Sequence, residues 1–367
     1  MEVRRRVGID ARPFLNPQTG VRRYVAEMCT ALGSALPDVD FIAYAPYPVQ
    51  LPAECSHWEV RIDHEQGTGS GHTFWWLKRR LGRLCQGDKL DAFWATTTFL
   101  PWLPAGVCSV STVYDMVHRV NPSSMRATAL VQHRLWLERD IRAADAIVTI
   151  SEGTARRVLQ YTGRVVTSVA RPGVNPMFRR PDDDEIARVR VRYNLRRSYV
   201  LSVGTWEPRK NLSSLVEAMV QLRRAGKACE LDLVLVGCRG WKDSGLSKAV
   251  GDQGHEHVRT LGQVPDADLP ALYGGSALFA YPSRYEGFGL PVMEASACGA
   301  RVLASDIPEL REAGGAEVTY VEPTVAGLAS GIARALSQTA PQRATASPRW
   351  SDGASQLARV LVADHGQ

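Results

Sequence analysis

The stretch from residue 277 to residue 299 constrains the fold of this chain more than any other part of the sequence. A short apolar run, Ala277 to Tyr281, ends at a Pro-Ser turn and leads into the loop Glu286-Gly-Phe-Gly-Leu290. Pro291 then stands where a first helical turn favours proline, and the helical pattern ends near Gly299. A strand, a glycine loop and a helix start predict an α/β fold with an anion site, because loop N–H groups and the helix dipole attract negative charge.

Two carboxylates bracket this loop, Glu286 at its start and Glu294 one turn into the helix. Each glutamate alone is explained more simply, one as a loop residue and the other as an acid near a helix N-terminus. The pair is different, because a carboxylate beside a phosphate site repels the ligand unless it faces neutral hydroxyl groups. An ionised carboxylate accepts hydrogen bonds from such groups. The pair therefore predicts binding to the hydroxyls of a sugar or a ribose.

Residues 277–314 closely resemble the donor site of the retaining nucleotide-sugar glycosyltransferases of family 4, also called glycosyl transferases group 1. This large family includes bacterial mannosyltransferases, and in it two glutamates separated by seven residues flank the same loop. The resemblance covers nearly the whole chain and is weakest around residues 45–90. It implies that Glu286 holds sugar hydroxyls and that Glu294 binds the ribose. The other donor-binding residues that it implies are Gly287, Phe288, Gly289, Leu290, Thr205, Gly237 and Val264.

A second loop brings positive charge to the same domain. A buried strand over residues 199–204 is followed by Arg209 and Lys210, and then by a helix from about residue 212 to residue 225. Two cations at a strand-to-helix loop suit a diphosphate, since each charge-assisted hydrogen bond contributes about 1.5–3 kcal/mol. In the resembling family the matching lysine neutralises the leaving diphosphate. Many members also have an arginine where this chain has Thr205, and we expect Arg209 to compensate.

The start of the chain repeats the arrangement of strand, loop and helix. Val3 to Asp10 predicts a strand, residues 16–20 a turn, and Val21 to Leu36 a helix, which is the first unit of a Rossmann-like domain. The family carries a similar Gly-x-x-Arg-Tyr segment here, facing the interdomain cleft. The resemblance thus gives three candidates for binding a phosphate or the acceptor, namely Gly20, Arg22 and Arg23. A solvated helix start explains the same residues equally well.

The strand over residues 107–113 ends in Tyr114-Asp115-Met-Val-His118. In the resembling family this strand usually ends in His-Asp, with the histidine near the transferred sugar. Tyr114 stands at the histidine position, so a direct role for that side chain stays open, while Asp115 is retained. Tyr114 and His118 are assigned to the acceptor side, although a lone histidine is more often structural than catalytic. The catalytic candidates are Lys210, Arg209, Glu286 and Asp115.

Residues 74–85 predict a basic amphipathic helix. The apolar stripe consists of Phe74, Leu77, Leu81 and Leu84, and the cations around it are Lys78, Arg79, Arg80 and Arg83. Such a helix with tryptophans docks on an anionic membrane surface or a lipid-linked acceptor. The alternative, slightly favoured by the sequence, is a helix packed on the sheet with a solvated basic face.

Composition excludes several classes of protein. The net charge of +6 is compatible with anionic ligands, but the chain has no arginine-rich arm and no zinc-finger spacing, so no nucleic acid partner is expected. The seven cysteines form no Cys-x-x-Cys pair, which predicts free thiols in a reducing cytoplasm. No apolar run approaches the roughly 18 residues of a membrane-spanning helix. We therefore expect a cytoplasmic protein, with peripheral contact to the inner face of the plasma membrane as an open question.

No metal ion and no cofactor are expected. The acidic run from Asp182 to Glu185 superficially resembles a metal site, but acids that open a helix are the simpler explanation. In the resembling family, cationic side chains stabilise the diphosphate without a metal, and here Arg209 and Lys210 take that place. The nucleotide diphosphate sugar is a co-substrate, with a GDP-sugar as the first expectation and a UDP-sugar as the next.

Together these features predict an α/β protein of the GT-B architecture, with two Rossmann-like domains, an interdomain cleft and a C-terminal helix that crosses back. The expected domains are residues 1–175 for the acceptor, 176–345 for the donor and 346–367 for the crossover helix. The resemblance implies retaining transfer of a hexose, mannose-like in the first instance, to a hydroxyl of a saccharide or lipid-linked saccharide in surface polysaccharide biosynthesis. The alternatives are a nucleotide-sugar epimerase or phosphorylase of the same fold, or a non-catalytic nucleotide-sugar-binding subunit.

Overall fold

Two parallel β-sheets, each built from its own part of the chain, organise the fold. The computed structural model describes residues 4–16, 19–63, 72–240, 246, 257–338 and 348–363. The chain divides into two units. Unit 1 comprises residues 1–119, 127–173 and 348–367, and unit 2 comprises residues 120–126 and 174–347. The predicted boundary between residues 345 and 346 lies outside the described residues.

Seven strands form the sheet of unit 1, and all their pairings are parallel. They are β1 Arg5–Asp10, β2 Val39–Ala45, β3 Glu59–Ile62, β4 Ala92–Ala95, β5 Cys108–Val113, β6 Ala146–Thr149 and β7 Ser168–Val169. Their order across the sheet is β3-β2-β1-β4-β5-β6-β7. Parallel neighbours need crossover connections, which are mostly helical. The α-helices of this part of the chain are α1 Gly20–Ala35, α2 His72–Trp76, α3 Gly82–Cys85, α4 Val117–Val120, α5 Ala127–Gln132, α6 Glu138–Ala143 and α7 Glu152–Thr162.

Helix α1 shows why the predicted elements form where they do. Its N-cap, Thr19, accepts a hydrogen bond from the backbone N–H of Arg22 at 3.2 Å, which satisfies one of the free donors of the first turn. Apolar residues at helical spacing, among them Tyr24, Met28 and Leu32, are buried against the sheet. The helix predicted from residue 21 to residue 36 is therefore confirmed, shifted by one residue.

The segment from residue 72 to residue 85 is helical, but its orientation corrects one prediction. A π-helical turn, Leu77–Leu81, joins α2 to α3, and both Leu77 and Leu81 are fully buried. The prediction that Lys78 lies on the cationic surface is wrong. Its ammonium group is buried, pairs with Asp140 and donates to the carbonyl of Leu100 at 2.7 Å. Because a π turn holds more residues than an α turn, an ideal helical stripe does not describe these side chains.

Six parallel strands form the sheet of unit 2. They are β8 Ser198–Val203, β9 Leu231–Val236, β10 Val258–Gly262, β11 Leu278–Tyr281, β12 Val302–Ser305 and β13 Thr319–Val321, in the order β10-β9-β8-β11-β12-β13. The helices are α8 Asp183–Arg192, α9 Leu212–Arg224, α10 Leu269–Gly274, α11 Leu290–Ala297, α12 Pro308–Gly314 and α13 Val325–Ser337. Hydrophobic clusters cover both faces of this sheet, as expected for buried parallel strands.

The strand order reverses once in each sheet. In unit 1 the chain runs from β1 outwards through β2 and β3, and then returns to β4 on the other side of β1. In unit 2 it runs from β8 through β9 and β10, and returns to β11 on the other side of β8. Ligands of open parallel sheets bind at the carboxyl ends of the strands beside such a reversal. Functional side chains are therefore expected in the loops after β1 and β4, and after β8 and β11.

The last helix, α14 Trp350–Val362, belongs to unit 1. The ring of Trp350 meets that of Tyr24 edge-on, with centroids 5.8 Å apart, and Leu357 and Leu361 of the same helix are buried. A C-terminal helix that returns to the N-terminal part of the chain is what the predicted fold class implies.

Candidate active site

The loop between β11 and α11 lies at the carboxyl end of β11, beside the reversal of strand order in unit 2. Gly289 precedes the helix with a φ of 125°, a backbone conformation that residues other than glycine rarely adopt. A Cβ atom at this position would lie 2.6 Å from Cδ2 of Leu310. Pro291 follows in the first turn, where its missing N–H costs no hydrogen bond. The loop conformation thus requires the glycine at position 289.

Glu286 is held in this loop by two cations. Its side chain is buried, and its two carboxylate oxygens accept from Nζ of Lys210 and from Nη1 of Arg209, each at 2.7 Å. Burial would raise the pKa of Glu286, but the charges of Arg209 and Lys210 outweigh it and lower the pKa to about 2. The glutamate is therefore ionised, and each of its carboxylate oxygens accepts a hydrogen bond from one of the two cations.

Lys210 is almost fully buried where the loop after β8 meets the loop after β11. Besides the bond to Glu286, its ammonium group donates to the hydroxyl of Tyr281 and lies 4.8 Å from the centroid of that ring. Burial lowers the pKa of Lys210, while the charge of Glu286 opposes the change. The sequence pattern did not indicate a role for Tyr281, whose only signal is its place at the end of β11.

Arg209 connects the pair to a second carboxylate that sequence reasoning also missed. Its Nη2 donates to Oε1 of Glu207 at 2.7 Å, while Nη1 is bound to Glu286. Glu207 is buried, and its Oε2 has no hydrogen-bond partner among the described residues. Carboxylates and cations therefore alternate in the order Glu207, Arg209, Glu286 and Lys210, and their formal charges cancel. We call these four residues the charge cluster.

Glu294, the second glutamate of the motif, lies one turn into α11 and is buried. Its Oε2 accepts a hydrogen bond from the hydroxyl of Tyr273 at 3.1 Å. Tyr273 itself belongs to the hydrophobic cluster on this face of the sheet. Binding of a ribose by Glu294 stays a prediction.

The other predicted donor residues lie in neighbouring loops of unit 2. Thr205 is exposed directly after β8, and Val264 is buried after β10. Gly237, with a φ of 134°, lies so close to the previous loop that a Cβ atom would be 2.1 Å from the carbonyl oxygen of Gly204. Packing within the chain thus accounts for the glycine at 237 without a ligand. In the main loop, Phe288 is buried and Leu290 is half-buried.

The predicted site residues that follow β5 form hydrogen bonds with other residues of unit 1. The Tyr114 hydroxyl donates to the carbonyl of Thr96 at 2.8 Å, and burial raises the Tyr114 pKa well above its usual range. Oδ1 of Asp115 accepts from the backbone N–H of Val117 at 3.0 Å, and its side chain stays half-exposed. His118 is buried with Nε2 3.1 Å from Oε1 of Glu138, and burial lowers the pKa of this imidazole. Tyr114 and Asp115 are both half-buried, whereas His118 is buried.

The first residues of α1 are exposed or half-buried. Gly20 is the first residue of the helix and is exposed, and a Cβ atom at this position would meet no other atom within 4 Å. Nothing in the described chain therefore requires glycine there. Nε of Arg22 is buried without a hydrogen-bond partner among the described residues, and Arg23 is half-buried. These facts agree with the predicted acceptor or phosphate role and do not test it.

A hydrogen-bonded set of polar side chains lies beside the reversal of strand order in unit 1, and the sequence pattern had not indicated it. Asp10, fully buried at the end of β1, accepts from Nε and Nη2 of Arg12 at 2.9 and 2.7 Å. The hydroxyl of Thr97, just after β4, donates to the same carboxylate at 2.9 Å. The only sequence signal was an aspartate ending the first strand with an arginine two residues later.

The described residues contain neither a cluster of metal ligands nor a membrane-spanning helix. No group of three or more His, Cys, Asp or Glu side chains with the geometry of a metal site occurs there. The acidic run predicted to open a helix does so, with Oδ1 of Asp182 accepting from the N–H of Glu185 at 2.7 Å at the start of α8. No helix in this part of the chain is both long and apolar enough to cross a membrane.

Solved structures show the class of fold. The sucrose-phosphate synthase of Thermosynechococcus elongatus superposes with a TM-score of 0.71 at 19% identity, covering 98% of this chain and 94% of that one. The glycosyltransferase WaaG of lipopolysaccharide biosynthesis has a TM-score of 0.70 at 14% identity, covering 97% of this chain and 99% of its own. The predicted class, α/β with the GT-B fold of glycosyltransferases, is therefore confirmed.

Two sequence families match the chain one after the other. Residues 18–178 match the family described as Glycosyltransferase Family 4, and residues 183–349 match the one described as Glycosyl transferases group 1. Between them the matches leave out only the two ends and residues 179–182. The chain belongs to glycosyltransferase family 4.

A curated relative in Escherichia coli, O-antigen chain mannosyltransferase B, is 36% identical over 193 residues, which are 51% of this chain and 50% of that protein. A GDP-mannose-dependent α-(1-6)-phosphatidylinositol monomannoside mannosyltransferase of Mycolicibacterium smegmatis is 30% identical over 244 residues, 64% of this chain and 62% of that protein. The chain thus spans less than two thirds of either relative.

Proposed function

We propose that the protein is a retaining hexosyltransferase, which moves a mannose-like sugar from a nucleotide diphosphate donor to a hydroxyl of a saccharide or lipid-linked saccharide. The observation that carries the proposal is the charge cluster at the reversal of strand order in unit 2. It sets two cations beside a helix start and a carboxylate, which is the chemistry needed for a diphosphate linked to a sugar. The mannosyltransferase names of the relatives support the choice of sugar.

In the proposed reaction the oxygen of the acceptor hydroxyl forms a bond to the anomeric carbon while the bond from that carbon to the diphosphate breaks. The electron pair of the broken bond stays on the phosphate oxygen, which takes the proton of the attacking hydroxyl on the same face of the sugar. Lys210 and Arg209 stabilise the charge that develops on the diphosphate, and preorganised charges of this kind make a large contribution to catalysis. These side chains supply the charge that a metal ion would otherwise bring.

The neutral charge cluster suggests how donor binding is coupled to sugar recognition. In the structure both oxygens of Glu286 are bound by Lys210 and Arg209. A diphosphate competes for the same cations, and as they turn to it the carboxylate of Glu286 becomes available for sugar hydroxyls. Donor binding would thus replace two internal ion pairs with contacts to the diphosphate and to the sugar.

For the donor we favour GDP-mannose and place UDP-sugars next. One relative carries dependence on GDP-mannose in its name. The acceptor is proposed to be a growing surface polysaccharide, as the O-antigen chain named for another relative suggests. A lipid-linked acceptor would bring the enzyme to the inner face of the plasma membrane. Peripheral membrane contact is therefore part of the proposal. It does not involve the apolar stripe of residues 74–85, because that stripe packs in the hydrophobic core of unit 1.

The test is a transfer assay with GDP-mannose, UDP-glucose and UDP-N-acetylglucosamine over a panel of mannosides, in buffer containing EDTA. The anomeric configuration of the product is read by NMR. We expect one donor to react and the product to keep the configuration of that donor. An inverted product would contradict the retaining mechanism, and complete loss of activity in EDTA would contradict metal independence.

Two departures from the residues usual in the family keep a second function open. The hydroxyl of Tyr114, at the position where the family usually has histidine, is bound to the carbonyl of Thr96, and Thr205 replaces a common arginine. A non-catalytic subunit that binds a nucleotide sugar would tolerate both changes. Tight nucleotide binding without transfer or hydrolysis over the acceptor panel would favour that function. An epimerase or phosphorylase of the same fold would be recognised by its products in the same assay.

A further inference from the structure

We propose that unit 1 docks on an anionic lipid bilayer through a surface built on the helical segments 72–85 and 127–143 and the loop at Trp102. We call this surface the aromatic–arginine face. Its apolar members are Trp75, Trp102, Val131 and Leu135, and its cations are Arg79, Arg83, Arg134 and Arg139. The inference rests on the proposed function only in that a lipid-linked acceptor gives the enzyme a reason to contact a bilayer. Its test needs neither donor nor acceptor.

The first observation is the exposure of large apolar side chains on neighbouring elements. Trp102 is 63% exposed, Leu135 64%, Val131 55% and Trp75 46%. Val131 and Leu135 stand about one turn apart in one helical segment, of which His133–Leu137 is π-helical. Single exposed apolar residues are common, whereas a group of them marks an interaction surface.

The second observation is that these side chains stand on a rigid base. The rings of Trp75 and Trp136 meet edge-on with centroids 6.2 Å apart, which joins the two helical segments. A Cβ atom at Gly82 would lie 1.7 Å from the carbonyl oxygen of Trp102, so the backbone at Trp102 runs directly against α3. Little conformational freedom of the backbone is then lost when the face meets a partner.

The third observation is a separation of charge. The second segment carries two acids, Glu138 and Asp140, and both are buried in ion pairs, with Arg119 and Lys78 respectively. The first segment carries no acid. Among the described residues none of the four arginines of the face forms a salt bridge, although the charge of Arg139 acts on the nearby Asp140. The charge that these segments present to solvent is therefore positive.

Aromatic and cationic groups are also combined at short range. The guanidinium carbon of Arg79 lies 4.7 Å from the centroid of the Trp75 ring, and that of Arg139 lies 5.3 Å from the Trp136 ring. Tryptophan favours the headgroup level of a bilayer, where its ring is half in the apolar phase, and arginine binds phosphate oxygens there. The pairing of both groups with exposed aliphatic side chains fits the interface of an anionic bilayer.

The experiment measures binding of the full chain, without nucleotide, to vesicles of phosphatidylcholine and to vesicles with added phosphatidylglycerol, by flotation. We expect binding to the anionic vesicles that is at least tenfold stronger than to the neutral ones and that weakens with salt. Quenching of tryptophan fluorescence by brominated lipid then reports insertion of the rings. Equal binding to both vesicles, or binding to neither, overturns the inference. The absence of vesicle binding is also the outcome expected if an acidic protein covers the face.

The location of the face is tested with matched pairs of variants. The double change Trp75→Ser and Leu135→Ser should lower binding to anionic vesicles about tenfold or more, because both side chains leave water on docking. The control is Val165→Ser with Val191→Ser, which removes apolar side chains that are even more exposed, 75% and 81%, from positions outside the face. Undiminished binding of the first pair, or equal loss in both pairs, overturns the inference.

The cationic part is tested in the same way. Arg134→Gln with Arg139→Gln should weaken binding by about fivefold for each charge removed. The control pair, Arg188→Gln with Arg224→Gln, takes the same charge from exposed positions in unit 2. Equal effects of the two pairs would show that only net charge matters and would overturn the face as the docking site. If the vesicles fail to bind while the transfer assay succeeds, the proposed function stands and this inference falls.

Discussion

At the scale of single residues, the charge cluster is unusual because Lys210 is buried, Arg209 is half-buried, and both cations are already paired. Removing one member of a buried ion pair costs more than the pair contributes, because the partner keeps a charge without compensation. Glu286 has two cationic partners, so the loss of either leaves the other in place. Either cation can therefore be replaced while Glu286 keeps one cationic partner.

Lys210→Ala tests the cationic role. We expect kcat of the transfer reaction to fall by about 10²–10³, since a preorganised charge facing the leaving group is lost. The matched control is Lys227→Ala, which removes an exposed lysine of the same unit and should leave kcat unchanged. Steady-state kinetics measures kcat of both variants, and circular dichroism checks that both are folded. Equal activity of the two variants would refute a role for Lys210 in the reaction.

The variant Glu286→Gln tests how much the ion pairs of Glu286 with Arg209 and Lys210 contribute to the free energy of unfolding. The pKa of Glu286 is lowered from 4.5 to about 2 in the folded chain, so the ionised group stabilises the fold above pH 4.5 and loses that contribution as the pH falls towards 2. The stability advantage of the wild type over the variant should therefore shrink by about 3 kcal/mol across this range. Urea unfolding at a series of pH values measures it. Parallel stability curves of the two proteins would contradict the ion pairs seen at Glu286.

At the scale of elements, the loop before α11 was predictable because its signals are local. An apolar run, a Pro-Ser turn, two glycines and a proline in the first turn all act within a few residues, and the observed strand and helix lie where these signals put them. The ion pairs of Glu286 were not predictable in this way. They join residues 76 and 77 positions apart in sequence, and only the parallel pairing of β8 with β11 brings them together.

Gly289→Ala tests the conformation of that loop. We expect it to destabilise unit 2 more than Gly226→Ala, because both glycines have positive φ, of 125° and 71°, but only a Cβ atom at 289 meets a neighbour. The control should cost about 1–2 kcal/mol, and the loop variant at least about 1 kcal/mol more. Denaturant unfolding of both variants gives the comparison. A Gly289→Ala variant no less stable than the control would contradict the described loop.

The segment 72–85 shows where local signals fail. The apolar stripe at Leu77 and Leu81 correctly predicted a helix packed on the sheet. The position of Lys78 could not be read from the stripe, because it depends on a π-helical turn and on Asp140, a residue 62 positions away in sequence. A cation at helical spacing is ordinarily assigned to solvent, and here a distant carboxylate decides otherwise.

At the scale of the whole molecule, each unit has a cluster of charged and polar side chains at the point where its strand order reverses. In unit 2 this is the charge cluster, with Lys210 after β8 and Glu286 after β11. In unit 1 it is Asp10 after β1 with Thr97 after β4. The sequence predicted two Rossmann-like domains from repeated strand–loop–helix patterns. It could not show the reversals, since strand order follows from the crossover connections rather than from local propensity.

The central claim, that the charge cluster is the site of the donor diphosphate, is tested most directly by calorimetric titration of wild type and Lys210→Ala with GDP and GMP in EDTA, repeated with UDP and UMP. In the wild type we expect one diphosphate to bind about tenfold or more tightly than its monophosphate, because the second phosphate adds a charge-assisted hydrogen bond. In Lys210→Ala this preference should nearly vanish while the monophosphate binds as before. Equal binding of diphosphate and monophosphate to the wild type, or a preference that survives in Lys210→Ala, would contradict the account.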